Sequence, residues 1–485
     1  MNTDSAGRCS NSAAGRLLLA ASCAALLSSC ADFRPPEFQR PDSPTKSSWS
    51  REPGVVVSAA ETITLDWWRE FRDPYLDALV TKAIAGNFDI KILAARTQVA
   101  GAQIAEAQAG ALPILDLGAG ASFEKSTGQK LTKQFNIAAV VTWEIDIWGK
   151  IEKGVQAQTA ELRATEAEWR AGYLTLVSGV ATSYFEILQF DEQIERQLMA
   201  LDRNNRILTI YEAMFANGLA PQSQVLRQKA EVNRLTSDLL ELRRLRALAQ
   251  NALATLVGVP AGELEVPPGR LLGGVQLPEV PVGLPSQLLS RRPDVVAAEY
   301  RVLEAYDLTC QAVLAQLPTV GLTGRIGTAA LSPADLFKSF TIGFLPSINF
   351  PMFDPSIKAR VNTSKAQTKV AEEVYRRTVI GAFEEVENAL VNLESHRKQR
   401  VELRQQADHL RAVAAQVEAQ LKVGIASELE VLETERSLLG AQLAVLANHQ
   451  QILSDTVTLY KTLGGGWPTV NVRNEDAKTN RHDPQ

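Results

Sequence analysis

The sequence is first informative for what it lacks. It has no run of about 20 apolar residues, so no membrane-spanning helix is expected. Aromatic residues make up only 6%, while Ala, Leu, Glu, Gln and Arg fill long tracts, a composition that favours extended helices over a thick core. The net charge of -5 leaves no basic footprint, which argues against a nucleic-acid partner. His396, His409, His449 and His482 are scattered without paired ligand spacing, so no metal site is expected. No HExxH, phosphate loop or nucleophile elbow occurs, and the chain does not read as an enzyme. "GAGAS" from Gly118 reads as strand, and "LGGGW" from Leu463 as a helix end. Of four cysteines, Cys9 and Cys23 fall in an N-terminal apolar segment, leaving Cys30 and Cys310, with no CxxC and no disulfide framework. Cys310 lies on an expected helix and reads as a small packing residue.

What is present begins with that N-terminal segment. Arg8 and Arg16 precede "LLLAASCAALLSSC", a charged start, a short apolar middle and small residues, which together read as a secretory signal over 1–29. Its end, Leu27-Ser28-Ser29-Cys30, has the form of a lipobox, in which the Cys30 thiol accepts diacylglycerol. Ala31 follows rather than Asp, which fits sorting to a bacterial outer membrane. A covalent lipid on Cys30 is the sole non-protein group expected, and no cofactor. Residues 30–60 are rich in Pro, Ser and charge and read as a lipidated tether. Asp73 and Pro74 then form a helix start, a cap followed by a first-turn proline.

The remainder contains itself twice. "ALPILDLGAGAS" lies over "QLPTVGLTGRIG", with Pro318 following Pro113 by 205 positions. "NGLAPQSQVL" lies over "VGIASELEVL", with Gly424 following Gly218 by 206. The repeats occupy 61–258 and 286–467, joined by a Pro/Gly-rich linker at 259–285 and followed by a flexible tail at 468–485. Each repeat predicts a moderate helix, two strands, a very long helix, a glycine turn and a returning helix of about half that length. The long helices, near 149–216 and 356–423, would reach roughly 100 Å and must lie in a bundle or coiled coil.

Strands are expected at 113–123, 133–147, 318–328 and 338–350. In the second, Phe135, Ile137, Ala139, Val141, Trp143 and Ile145 alternate with Gln134, Asn136, Ala138, Val140, Thr142 and Glu144. In the first, Leu115, Leu117, Ala119, Ala121 and Phe123 alternate with Asp116, Gly118, Gly120 and Ser122. Period two with one apolar face, over about ten residues, suits a membrane barrel strand. A soluble sandwich is the competing reading, but four strands separated by long helices make a poor sandwich. Four strands cannot close a membrane barrel either, and open edges are forbidden in lipid, so several chains must share one barrel. The count alone admits a dimer or a trimer.

Taken together, the lipobox, "DWWREFRDPYLDALV" (Asp66 to Val80), "WEIDIWGKI" (Trp143 to Ile151), "RRPDVVAAE" (Arg291 to Glu299) and the two glycine turns resemble the outer membrane factor (TolC-like) family. The likeness is to its lipoprotein branch, which serves resistance-nodulation-division efflux systems. It implies a mainly α fold with membrane β: four barrel strands per chain in a shared twelve-stranded trimeric barrel, plus a long periplasmic coiled-coil tunnel. It implies a homotrimeric outer-membrane exit duct in a Gram-negative bacterium, partnered by a periplasmic adaptor and an inner-membrane transporter, in contact with outer-membrane lipid. The turn residues Gly218, Leu219, Ala220, Gly424, Ile425 and Ala426 become adaptor-contacting tips, and Glu430 and Glu433 a periplasmic gate that is closed at rest. Arg227 is then a partner for Glu433, whereas Glu428 and Glu435 read as solvated acids of a first turn, favoured by the helix dipole. Ser427 with Glu430 has the form of a capping box. A protein-secretion duct and a non-conducting scaffold lipoprotein are the alternatives; neither cargo nor pump is written in the sequence.

Overall fold

A computed structural model describes residues 64–466, apart from 126, 129, 282–287, 289–290 and 352, together with 38–42, 46 and 48–50. The expected signal segment, Cys30, most of the tether and the C-terminal tail lie outside the described residues. In chain order the elements are a 3-10 turn (Trp67–Phe71), α1 (Pro74–Gly86), α2 (Phe88–Ala109), β1 (Ile114–Glu124), β2 (Thr132–Ile145), α3 (Lys150–Ala216) and α4 (Gln222–Val257). The second half supplies α5 (Pro293–Leu314), β3 (Thr319–Ala330), β4 (Thr341–Asn349), α6 (Pro355–Lys422) and α7 (Glu428–Thr462). The two long helices have 67 and 68 residues, as the repeat predicts. Strand β4 is shorter than expected. A 3-10 turn at Pro333–Asp335, capped by Ser332, takes up the preceding loop.

The chain divides into two compact units. One comprises 1–42, 99–163 and 299–374 and holds the sheet, with order β1-β2-β3-β4 and every pair antiparallel. The two tryptophans of "WEIDIW" fix its ends: Trp143 Nε1 donates to Ala111 O (2.8 Å) just before β1, and Trp148 Nε1 to Pro318 O (2.6 Å) just before β3. Cys310 is buried in this unit, in keeping with a packing role. Here the tether's described residues are docked: Phe38 meets Tyr306 edge-on, and Arg40 pairs with Glu299 at 2.5 Å.

The other unit comprises 43–98, 164–298 and 375–485. Its core is the "DWWREF" motif: Trp67 stacks on Tyr460 at 4.9 Å, Phe71 packs on Phe185, and the Tyr460 hydroxyl donates to Glu70. Asp73 caps α1 by accepting from Tyr75 N and Leu76 N, while its second oxygen accepts from the Tyr184 hydroxyl at 2.9 Å. Tether residues dock here too: Lys46 and Ser50 bind Glu387, and Trp49 packs on Phe383. Half-buried aromatic rings and the Glu387 carboxylate thus hold the described residues of a stretch read from composition as an extended tether.

The duplication reappears as matched chemistry at two helix junctions. Gly258 and Gly464 both hold positive φ, 82° and 85°, and end their helices. A Cβ at Gly258 would lie 2.4 Å from Gly86 O, and one at Gly464 would lie 2.7 Å from Arg291 O. Asn87 Nδ2 donates to Leu256 O (2.9 Å), and Arg292 Nη1 donates to Thr462 O (3.1 Å). Arg292 stands 205 positions after Asn87, and Thr462 stands 206 after Leu256, so each repeat satisfies the equivalent helix-end carbonyl, which lacks a partner within its own helix. Arg292, the second arginine of "RRPDV", is buried; Asp294 and Glu385 pair with it at 2.6 and 2.7 Å.

Candidate functional site

The sheet sorts side chains by face. Register places Leu117 beside Ala139, Ala139 beside Ile326, and Ile326 beside Ile342. The same face carries Leu115, Val141, Gly324 and Phe344 in one row, and Trp143, Leu322 and Pro346 in the next. It is apolar across all four strands and solvent-exposed: Leu117 is 79% exposed, Ile342 78% and Phe344 71%. A monomer leaving so large an apolar patch in water is unstable against aggregation, so the face belongs in a bilayer. The opposite face carries Asp116, Gly118, Gly120 and Ser122, then Gln134, Asn136 and Thr142, then Gly321, Thr323 and Arg325, then Gly343 and Ser347. Small and polar residues predominate on it, with Ile114, Val140 and Leu345 interspersed, as suits a wet lumen. Strands β1 and β4 are open edges, which lipid does not permit, so the sheet is one segment of a larger barrel. No described helix is long and apolar enough to cross a membrane.

The helical turns are built alike. Gly218 and Gly424 have φ of 72° and 75°. Leu219 N donates to Met214 O and Gly218 N to Phe215 O; Ile425 N donates to Gln420 O and Gly424 N to Leu421 O. These paired bonds are Schellman closures, which need a left-handed residue at the glycine. Leu219 and Ile425 stand out, 73% and 76% exposed, with Gly218 and Gly424 also exposed. Ala220 is instead buried and Ala426 half-buried, so these two support the turns rather than present surface. Four of the six expected tip residues, Gly218, Leu219, Gly424 and Ile425, are therefore exposed.

The acidic stretch after Gly424 divides differently from the sequence expectation. Ser427 Oγ accepts from Glu430 N (3.3 Å), which confirms the cap, and Glu430 and Glu433 are exposed. Glu428 and Glu435 are not simply solvated. The buried Tyr211 hydroxyl donates to Glu428, and burial, then that carboxylate, push the phenol up. The Glu435 side chain is only 14% exposed and lies 2.8 Å from Arg203 Nη2, which also bonds Glu418 at 3.0 Å. The Arg203–Glu435 contact is out of hydrogen-bond alignment, leaving Glu435 Oε1 without a donor. Burial raises the Glu435 carboxyl; Arg203 opposes this, and Glu418 and Glu231 add to it. Arg203 and Tyr211 lie on α3, Glu418 on α6, and Glu428 and Glu435 on α7, so these contacts latch the first hairpin to the second. No ion pair joins Arg227 to Glu433 among the described residues, and both are exposed. The latch was hidden in sequence because Arg203 stands more than 200 positions from its partners.

Two further acids share a site on the helices of the sheet-bearing unit. Glu304 on α5 is pushed up to about 7, first by burial and then by the charge of Glu161 and a hydrogen bond to it. Their sequence positions gave no sign of this pair. Among the described residues, no group of three or more His, Cys, Asp and Glu side chains could hold a metal. His396 is taken up by Asp455 at 2.6 Å, and His449 is buried and pushed down to about 4, first by burial and then by Arg400 and Arg404.

Comparison with known proteins agrees with this geometry. The model of the family described as outer membrane efflux protein matches residues 79–259 and 284–465, one match in each repeat. The pyoverdine export outer membrane protein OpmQ of Pseudomonas aeruginosa is 30% identical over 416 residues, covering 83% of this chain and 87% of its own. The cation efflux system protein CusC of Escherichia coli is 28% identical, covering 89% and 95%. In structure, the Neisseria gonorrhoeae MtrE outer membrane channel superposes with a TM-score of 0.81 at 26% identity, covering 89% of this chain and 98% of that one. The chain belongs to the outer membrane efflux protein family and is an exit duct rather than an enzyme.

Proposed function

We propose that the mature chain is lipidated at Cys30 and docks its Gly218–Leu219 and Gly424–Ile425 turns on a periplasmic adaptor fed by a resistance-nodulation-division transporter. The family forms trimeric channels within tripartite efflux pumps. A trimer of this chain assembles twelve strands from four per chain. The observation that carries the reading is the exposed, predominantly apolar face across all four strands, opposite a mainly small and polar one, on a sheet with open edges. A scaffold lipoprotein has no use for that face. Glu430 and Glu433, exposed on α7, form a ring of like charge at the tip, and the contacts of Arg203 and Tyr211 hold the hairpins that carry it. Relatives export cargoes as different as pyoverdine and cations, so the pump, not the duct, is the main selector. Purified trimer in a planar bilayer tests the reading: wild type conducts, and Glu430→Ala with Glu433→Ala raises resting conductance. A stable monomer by native mass, or a trimer without pores, would overturn it.

A further inference from the structure

One residue on the lumen face stands apart from its neighbours. Arg325 lies midway along β3 and is exposed. Among the described strand residues it is the one cation on that face, which otherwise carries the acids Asp116, Glu124 and Glu144. Glu144 is held by Lys150 Nζ at 2.5 Å, so its charge is already balanced. No ion pair joins Arg325 to a carboxylate among the described residues. Its cross-strand neighbours are Val140 and Gly343, and Thr323 and Gly327 flank it along the strand. A Cβ built at Gly343 meets nothing within 4 Å, so there is open space beside the guanidinium. Asp116 falls in the same row, beyond Val140, two strand spacings or about 9.6 Å away.

We propose that Arg325 is a selectivity residue of the barrel: in the trimer three guanidinium groups ring the lumen and favour passage of solutes that carry a carboxylate, phosphate or sulfonate. This rests on the trimeric duct reading. Guanidinium groups match such anions in a bidentate geometry and stay charged at any working pH. A long side chain above glycine-lined space swings freely, which keeps each encounter brief, and conduction needs binding weak enough for release. Asp116 acts in the opposite sense, limiting how tightly an anion is held in the row. The ring is thus a second filter, separate from the acidic tip.

The test is the reversal potential of single trimers in a KCl gradient near 0.1 M. Replacing Arg325 by Gln lowers the chloride-to-potassium permeability ratio by about threefold, and Asp116→Asn raises it by a comparable factor. Arg325→Glu lowers it further. Because the tip lies in series, Arg325→Cys supplies an independent reading. Buried Cys310 leaves the introduced thiol as the target for membrane-impermeant thiol reagents added from the outer side. Attaching a cationic reagent restores anion preference, and attaching an anionic one does not. Wild-type selectivity in the Arg325→Gln and Arg325→Glu trimers overturns the proposal, as does a thiol that reacts with neither reagent. A wild-type trimer that forms no pore removes the duct reading itself, a different failure from conducting variants with unchanged selectivity.

Discussion

Replacing Arg203 by Ala tests the latch between the hairpins. The guanidinium touches two carboxylates, Glu418 at 3.0 Å and Glu435 at 2.8 Å. The Glu418 pair is about half exposed on both sides, 47% and 44%, and such pairs contribute at most about 0.5 kcal/mol. Glu435 is 14% exposed, and stripping a desolvated carboxylate of its cation costs about 1–2 kcal/mol. Because Arg203 is itself about half exposed, water replaces part of it, and about 1 kcal/mol per chain is the fair figure. If three tips open together, the loss is about 3 kcal/mol, or about 150-fold in the open-to-closed ratio. The assay is open probability in planar bilayers. Acid adds a second signature. The latched Glu435 carboxyl is raised above its solvated value, so the latched tip binds the proton more tightly and acidification favours closure. Loss of Arg203 raises it further, so opening of the variant falls more steeply from pH 8 to pH 5. An Arg203→Ala trimer with wild-type open probability and wild-type pH slope would refute the latch.

The other expectations concern folding and the membrane. Gly464→Ala would place a Cβ 2.7 Å from the Arg291 carbonyl at a φ of 85°, a loss of about 2 kcal/mol or more visible as a lower unfolding midpoint. Leu117→Arg puts a charge on the lipid face at about 2–4 kcal/mol and blocks trimer insertion, whereas Gly118→Arg on the lumen face inserts and lowers conductance. Glu304 holds a proton up to about pH 7 that the unfolded chain releases near 4.5, so its contribution to stability declines as pH rises through that window. Glu304→Gln should flatten this decline and gain about 1 kcal/mol per chain at pH 8 after allowing for solvent screening, measured by thermal unfolding against pH.

Periodicity and duplication are properties of neighbouring residues, and the sequence by itself determined what they govern. Alternation along 133–147 named the lipid face of β2 correctly, because side chains on a strand must alternate. Gly218 and Gly424 marked the helix turns, because a Schellman closure needs a left-handed residue. Asp73-Pro74 marked a helix start for an equally local reason. Strand ends were blurrier: the pattern reads strand from 338, but β4 begins at Thr341, because Lys338 N donates back to Asp335 O (3.1 Å) at the end of the 3-10 turn instead of entering the ladder. Tertiary structure decided which charges meet. Glu428 and Glu435 lie within the first eight residues of α7 with Glu430 and Glu433 and look alike in sequence, yet only Tyr211 and Arg203, brought from a distant helix, separate the engaged acids from the exposed ones. The Asn87 and Arg292 contacts with helix-end carbonyls, and the isolation of Arg325 above glycine, are likewise long-range facts. Local pattern fixes the face on which a side chain stands; the partner that sets its charge and its freedom arrives only when the chain folds back on itself.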